Sequence, residues 1–253
     1  MLSTLDLLFR RVAQAGCSLL SALDTVLYPQ HCLITGEPLL GESPLRHVST
    51  RGLDTCAPAP ENHELMLTAQ KRIGGDDIAF SSATSLWALE PESSIHDVIV
   101  AIKYRGLHTL AVDLGKHLGE FLKERGPAWL QANTIHTNTY ISYVPVHKTR
   151  KRERGYDQAQ CIAQGVALAL NRSVTQTLVR RRYTGTQTAL SDAERARNMT
   201  DAFQPACTAS LRGSTVLLVD DVFTTGATLN SAATALLCAG VRRVDVATLC
   251  ATI

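Results

Sequence analysis

Segments typical of β-strands alternate with segments typical of helices over most of this chain. Strands are predicted where β-branched and aromatic residues predominate, at 139–146, 173–179, 214–220 and 242–253. Between them leucine and alanine recur at helical spacing, and the clearest helix ends at Gly126 and Pro127. This alternation is typical of a mostly parallel sheet with helices on both faces, so we predict an α/β fold.

The first 80 residues differ in composition from the rest. Residues 1–27 carry leucines at near-helical spacing interrupted by Arg10 and Arg11, which predicts an amphipathic helix rather than a signal peptide. Residues 28–64 are rich in Pro, Gly, Ser, His and Glu and show little periodicity, as expected of a small irregular module. In a chain of 253 residues we therefore predict two domains, 1–80 and 81–253.

Charge and cysteine usage narrow the classes of function. The net charge is only +2, so any binding of polyanions must depend on local basic clusters. Seven cysteines occur at irregular spacing, which favours free thiols in a reducing compartment over a disulfide framework. No apolar run approaches membrane-spanning length, so we expect no membrane insertion and a cytoplasmic location.

The stretch "VLLVDDVFTTGATL", residues 216–229, places two acids at the end of a buried strand and a small polar loop before a helix. Ligands of parallel sheets bind at the carboxyl ends of strands, where the N–H groups of a helix N-terminus attract anions. Asp220 and Asp221 can accept hydrogen bonds from a sugar diol, and the loop can donate to a phosphate. The loop consists of Thr224, Thr225, Gly226, Ala227 and Thr228. A ribose 5-phosphate fits both the acid pair and the loop. The alternative is a strand–turn–helix whose Asp and Thr residues only cap the helix.

Several blocks of the sequence resemble a known family in the same order. Residues 216–228 resemble the phosphoribosyl-pyrophosphate (PRPP) motif of type I phosphoribosyltransferases. The blocks "IKYRG" (102–106), "YVPVH" (143–147), "RERGYDQA" (152–159) and "TQTALSDAERARNMTDAF" (186–203) are similar to the ComF/GntX family of phosphoribosyltransferase-like proteins. The resemblance implies the type I phosphoribosyltransferase fold, with an N-terminal module that resembles a degenerate zinc ribbon.

The resemblance assigns the turn after the strand at 139–146 to the pyrophosphate of PRPP, with Arg154 and Gly155 starting the next helix. The residues concerned are Pro145, His147, Lys148, Arg150 and Arg154. Negative charge builds on the departing diphosphate, so cations and backbone donors are expected there. A solvated charge run on the surface is the alternative for the basic residues.

Further site residues follow from the resemblance alone. Gln187, Arg195 and Asn198 would belong to a mobile loop that closes over the reacting centre, unless this segment is a surface helix. Lys103, with Arg105, lines the pocket or forms the polar edge of a helix. Mg²⁺ bound with PRPP, near Asp220 and Asp221, is the implied cofactor.

Two positions depart from the family pattern. Members usually carry Cys-x₂-Cys pairs near the N-terminus, whereas here Cys32 is followed by Thr35 and Cys56 by Ala59. His31, His47 and His63 lack suitable spacing to replace the lost ligands, so no structural zinc is expected. Asp157 stands where the family often has Asn, and it adds negative charge near the expected diphosphate site.

The expected function is binding of PRPP or a ribose 5-phosphate group with Mg²⁺, in processes of DNA uptake or utilisation. Its enzymatic form is phosphoribosyl transfer to an unidentified nitrogen nucleophile, although no general base stands out. One alternative is an accessory that binds single-stranded DNA or DNA-uptake proteins, with Tyr156 or Tyr183 stacking on bases beside the basic clusters "HKTRKRER" (147–154) and "VRRRY" (179–183). Another is a PRPP-sensing regulator without turnover.

Overall fold

The computed structural model describes residues 30–39, 45, 47–74, 78–131, 138–180, 202–206 and 211–252. The chain separates into two compact units, Met1–Asp54 and Thr55–Ile253. This division falls before the boundary predicted at residue 80, and a helix at Asn62–Ile73 belongs to the larger unit. The amphipathic helix predicted at 1–27 lies outside the described residues. Within them, no helix combines the length and the apolar character that a membrane crossing requires.

The smaller unit is organised around the buried thiol of Cys32. Its Sγ accepts hydrogen bonds from the backbone N–H groups of Ile34 at 3.4 Å and Ser49 at 3.3 Å. Burial alone raises the pKa of this thiol, but the hydrogen bonds, first that of the Ser49 side chain, outweigh it and lower the pKa to about 7. Helix α1, Thr50–Asp54, follows directly. Whether this unit binds zinc stays a prediction.

The larger unit is an α/β domain, which confirms the predicted fold class. Its strands are β1 (Ser82–Leu89), β2 (Thr139–Tyr143), β3 (Leu178–Arg180), β4 (Phe203–Pro205), β5 (Thr215–Phe223) and β6 (Arg243–Thr252). Its helices are α2 (Asn62–Ile73), α3 (Ser94–Tyr104), α4 (His108–Arg125), α5 (Ala128–Gln131), α6 (Lys148–Arg154), α7 (Gln158–Ala169) and α8 (Ala227–Cys238). The main sheet is parallel with strand order β1-β6-β5-β2, and β3 and β4 form a separate antiparallel pair.

Helices α4 and α7 pack unusually closely because glycines lie at their crossing. A Cβ atom at Gly165 would come within 2.0 Å of the carbonyl oxygen of Val112, and one at Gly115 within 2.2 Å of that of Ile162. No side chain fits at either position without moving backbone. Since α7 also packs against β2 and β5, this crossing fixes the N-terminal end of α7 beside the carboxyl ends of those strands.

Helices α2 and α8 contribute to one apolar core with β5 and β6. Leu65 and Ala69 of α2 and Leu229 of α8 are buried in the same cluster as Val216 and Val244. Helix α2 begins with a capping box, in which Glu61 and Glu64 exchange side chain–backbone hydrogen bonds, and ends at Gly74 in the left-handed conformation. A well-defined helix therefore lies beneath the loop that precedes α8.

Candidate functional site

A cavity of about 410 Å³ lies at the carboxyl edge of the parallel sheet. Its polar and charged lining residues are Lys103, His147, Arg150, Arg154, Gln158, Arg180, Asp220, Asp221, Thr224 and Thr228. The remaining walls are Val144, Pro145, Val146, Val222, Gly226 and Leu229. This position is where open parallel sheets bind ligands.

The cavity exists because β5 is longer than its neighbour β2. β2 ends at Tyr143, opposite Val219, whereas β5 continues to Phe223 and stays paired with β6 on its other side. Asp220 and Asp221 therefore lie inside a strand but beyond the end of β2. The strand holds their backbone rigidly, and the missing neighbour exposes their carboxylates to the cavity.

The two acids have different surroundings because successive side chains of a strand point to opposite faces of the sheet. Asp221, on the face covered by α7, accepts hydrogen bonds at Oδ2 from Lys103 Nζ at 3.1 Å and from Gln158 Nε2 at 3.2 Å. Its charge is thus compensated by protein groups. The Oε1 atom of Gln158 is buried and has no hydrogen-bond partner among the residues that the structure describes. A ligand donor in the cavity can satisfy it.

Within the described part of the chain the Asp220 carboxylate has no ion-pair partner like the Lys103 of Asp221, and its pKa lies well above the ordinary range. Burial is the main cause and the adjacent charge of Asp221 is the second; the N–H of Asp221 and the Lys103 charge oppose the shift more weakly. Arg180 lies close enough to Asp220 for their charges to interact, and its guanidinium also stacks over Phe203 at 5.2 Å. A ligand that brings hydroxyl donors or a cation to Asp220 would relieve this destabilised charge.

The loop after β5 forms an anion-binding turn. Gly226 adopts φ +76° and caps α8, a twelve-residue helix. A Cβ at this position would lie 3.1 Å from Phe223 Cζ and 3.3 Å from Ala69 Cβ, so the conformation and the space both require glycine. Thr225 Oγ1 accepts a hydrogen bond from the Ala227 N–H at 3.2 Å, which shapes the turn. The first N–H groups of a helix carry the positive end of its dipole.

Arg72 of α2 forms a hydrogen bond with the loop that precedes α8. Its guanidinium donates to the carbonyl oxygen of Thr224 at 3.1 Å and lies 3.4 Å from the hydroxyl of Thr252. The carbonyl is thereby held away from the N–H side of the turn. Arg72 is a positioning residue that the sequence analysis did not single out, because 152 residues separate it from the loop.

The basic segment after β2 is a helix, α6, rather than a turn that starts the following helix. The prediction that Arg154 and Gly155 begin the next helix is wrong: both end α6, where Gly155 has φ +80°, and α7 begins at Gln158. His147 caps α6 by accepting the N–H of Thr149 at Nδ1, 3.3 Å away. Of the cations on this short helix, Arg150 and Arg154 line the cavity, whereas Lys148, Lys151 and Arg152 do not.

Asp157 holds the loop before α6 against α7. Its carboxylate accepts the N–H of Val146 at 3.1 Å and that of Gln160 at 3.3 Å. The side chain is buried, which is the main reason that its pKa is raised, and it does not line the cavity. The acid found in place of the family's Asn therefore makes the hydrogen bonds of a helix cap rather than facing the ligand.

Most of the predicted site residues come together, although they span more than 120 positions. Those that line the cavity are Lys103, Pro145, His147, Arg150, Arg154, Asp220, Asp221, Thr224, Gly226 and Thr228. Lys148, Thr225 and Ala227 do not, and Gln187, Arg195 and Asn198 lie outside the described residues. The sequence analysis missed Gln158, within a quoted block, and Arg180, which it placed only in a basic cluster.

A parallel α/β sheet whose central strand carries paired acids near its carboxyl end, followed by a threonine-glycine turn into a helix, defines the type I phosphoribosyltransferase class. The family described as "Phosphoribosyl transferase domain" matches residues 93–253, more than half of the chain, and this protein belongs to it.

The chain is also similar to curated bacterial proteins. It is 36% identical over 105 residues to Competence protein F of Haemophilus influenzae, covering 41% of this chain and 46% of that protein. It is 37% identical over 114 residues to DNA utilization protein YhgH of Salmonella typhi, covering 45% and 49%. The YhgH protein of Escherichia coli (strain K12) is 34% identical over 114 residues. The chain spans about half the length of these relatives. Together with the family match, these similarities identify a ComF-type phosphoribosyltransferase-like protein.

Proposed function

We propose that the cavity binds PRPP, or a ribose 5-phosphate group, together with Mg²⁺. The observation that carries the proposal is the arrangement of opposite chemistries around one cavity of about 410 Å³. Paired carboxylates line the centre, an anion-binding turn lies on one side, and basic side chains lie on the other. A sugar with a phosphate at one end and a diphosphate at the other has the complementary charge pattern.

The 5′-phosphate would occupy the turn at residues 224–228. The N–H groups at the start of α8 and the hydroxyls of Thr224 and Thr228 supply donors there. The ribose hydroxyls would donate to Asp220 and Asp221. Because burial and like-charge repulsion destabilise the ionised form of Asp220, ligand donors would gain more from this carboxylate than from a solvated one.

The diphosphate would face the basic side of the cavity, which Lys103, Arg150 and Arg154 line. In phosphoribosyl transfer the bond between C1 of the ribose and a diphosphate oxygen breaks, and its electron pair leaves with the diphosphate. Fixed cations stabilise the charge that develops on this leaving group. A nitrogen nucleophile forms the new bond to C1 and gives up its proton to solvent.

The acid pair also fits the proposed cofactor. Mg²⁺ is usually held by one or two carboxylates together with substrate phosphates rather than by a cage of protein ligands. The described residues contain no group of three or more His, Cys, Asp or Glu side chains arranged for a metal ion, so Asp220 and Asp221 are the residues that would hold it. When bound, Mg²⁺ would neutralise negative charge on the diphosphate leaving group.

Calorimetric titration of the protein with PRPP and with ribose 5-phosphate, each with and without Mg²⁺, tests the proposal. Thr228→Val removes one phosphate donor while keeping the side-chain shape. Since a hydrogen bond to a charged group contributes about 1.5–3 kcal/mol, we expect about a tenfold or greater loss of affinity for both ligands. Thr234→Val is the matched control on α8, because the Thr234 hydroxyl bonds only the carbonyl of Asn230, at 2.8 Å, among the described contacts.

Failure of both ligands to bind at millimolar concentration, or equal affinity of the two variants, would overturn the proposal. Transfer is tested separately by isotope exchange between pyrophosphate and PRPP across a panel of candidate bases. Exchange by the wild type but not by Asp220→Asn supports an enzyme. Ligand binding with no exchange on any base supports a PRPP-sensing regulator instead.

We further propose that the protein acts in DNA uptake or utilisation, since its relatives carry the names Competence protein F and DNA utilization protein. Direct binding of single-stranded DNA is a second candidate because Lys148, Arg150, Lys151 and Arg152 are all exposed on α6. Filter binding that weakens steeply with salt would support it, and the absence of salt-sensitive binding would exclude it. The hydroxyl of Tyr156, one of the two expected stacking residues, donates to the carbonyl of Ile102, and its ring lies edge-on to that of His108, with 6.1 Å between centroids.

A further inference from the structure

A second cavity of about 400 Å³ adjoins the phosphoribosyl site. It is lined by Lys103, Tyr104, Arg150, Glu153 and Arg154. Lys103, Arg150 and Arg154 also line the first cavity, so the two spaces share a wall of cations. Tyr104 and Glu153 belong to the second cavity alone. Its chemistry therefore differs from that of the phosphoribosyl site by an aromatic ring and a carboxylate.

Tyr104 presents an open aromatic surface at this cavity. It is the last residue of α3, and 68% of it is exposed, which makes it the most exposed large hydrophobic side chain among the residues described. The guanidinium carbon of Arg154 lies 5.2 Å from the centroid of its ring. A ring supported by a cation and left accessible to solvent is a surface on which another planar group can stack.

The charges around the ring select an anionic ligand. Helix α6 contributes five cations, Lys148, Arg150, Lys151, Arg152 and Arg154, against the single acid Glu153. The whole chain has a net charge of only +2, so this excess is local. Lys103 and Arg150 lie where phosphates would approach, while Glu153 is the only carboxylate among the described residues that line this cavity. That carboxylate can accept a hydrogen bond from an exocyclic amine.

We propose that this second cavity is a nucleotide subsite. An amino-bearing base stacks on Tyr104 beside Arg154, its amine donates to Glu153, and its phosphate faces Lys103 and Arg150. A sugar phosphate alone would leave the ring and the carboxylate without a role, whereas a nucleotide carries a planar base, an amine and a phosphate in one molecule. The cavity volume suits one nucleotide. The nucleotide is either free or the terminal residue of a single strand, since both offer the same base and phosphate.

The shared cations give the subsite a specific relation to the phosphoribosyl cavity. A nucleotide phosphate near Lys103 and Arg150 competes with a diphosphate, but not with a phosphate held in the turn at 224–228. Ribose 5-phosphate and the nucleotide should therefore bind together, whereas pyrophosphate should displace the nucleotide. This inference needs only the second cavity and does not require that PRPP binds.

Fluorescence or calorimetric titration with AMP and with 5′-phosphorylated adenine oligodeoxynucleotides of one, four and twelve residues tests the subsite. Stacking contributes about 1–3 kcal/mol for each base, so Tyr104→Ala should weaken AMP binding about tenfold. Tyr104→Phe keeps the ring and should bind as the wild type does. Glu153→Gln should weaken AMP more than dTMP, which has no exocyclic amine.

The oligonucleotide series distinguishes the two sources. Affinity that does not increase beyond one residue identifies a free nucleotide; affinity that rises with length, with a steeper salt dependence, identifies a strand end. Either result supports the subsite. The inference is overturned if AMP does not bind, if Tyr104→Ala binds AMP as well as the wild type, or if ribose 5-phosphate displaces AMP. Tyr104→Ala should bind ribose 5-phosphate as the wild type does. If the phosphoribosyl proposal fails, neither protein will bind ribose 5-phosphate, whereas AMP binding and its loss in Tyr104→Ala will be unchanged.

Discussion

The ion pair between Lys103 and Asp221 should make a large contribution to stability, and Lys103→Met tests it. The pair joins α3 to β5 at 3.1 Å, with side chains only 24% and 10% exposed. Methionine keeps the length and apolar stem of lysine but removes its charge. The variant leaves two neighbouring carboxylates in a half-buried site without their main cation.

The geometry sets the expected magnitude. At an effective dielectric constant of about 20, unit charges 3.1 Å apart attract by about 5 kcal/mol. Freeing a long side chain returns up to about 2 kcal/mol of rotamer entropy. The net loss should therefore be about 3 kcal/mol, at the lower end of the range for breaking a buried pair.

Urea denaturation of Lys103→Met, Asp221→Asn and the double variant measures the coupling directly. We expect a coupling free energy of about 2–3 kcal/mol, with the double variant more stable than Lys103→Met. Lys123→Met is the matched control: its partner Glu120 lies 2.8 Å away, but both side chains are largely exposed, so the loss should stay below about 1 kcal/mol. Additive effects, or a Lys103→Met loss as small as the control, would refute this account of the acid pair.

Two further predictions concern the cavity. Because the pKa of Asp220 is raised, its stabilising contribution is complete below the ordinary aspartate pKa and is lost as the pH rises through the elevated value. Asp220→Asn should therefore raise the free energy of unfolding at pH 7 in urea melts while weakening Mg²⁺-dependent PRPP binding; a less stable variant would contradict this sign. Gly226→Ala should cost roughly 1–2 kcal/mol of backbone strain and also reduce affinity for ribose 5-phosphate. Gly213→Ala, at φ +73° with open space around it, should cost similar stability with normal affinity, and equal binding by the two variants would argue against the turn.

Most of the fold could be predicted from local sequence patterns. The β-branched run at 214–220 and the leucine stripe before Gly126 correspond to β5 and α4 in the structure. The extension of β5 to Phe223 was not predictable, because it depends on pairing with β6. Helix α2 was not predicted either, because its N-cap is Glu61, which is not one of the residues that usually mark a helix start.

The site shows the same division between local and long-range information. The acids and the turn that follows them lie within nine residues, so one motif predicts their proximity. Arg72, Gln158 and Arg180 reach the site from distant elements, and only packing brings them there. Nothing in the sequence around these residues marks them as site residues, because Arg72 lies at the end of a helix, Gln158 lies within a helix and Arg180 is one of several arginines in a basic cluster. Tyr104 likewise gains significance only through its exposure beside Arg154.

The most direct measurement is a crystal structure of the protein grown with PRPP and Mg²⁺. We expect the 5′-phosphate within hydrogen-bonding distance of the N–H groups at 225–228, the ribose hydroxyls on Asp220 and Asp221, and the diphosphate toward Lys103. Density for PRPP elsewhere, or a diphosphate seated in the threonine turn with the acids unengaged, would contradict the central claim.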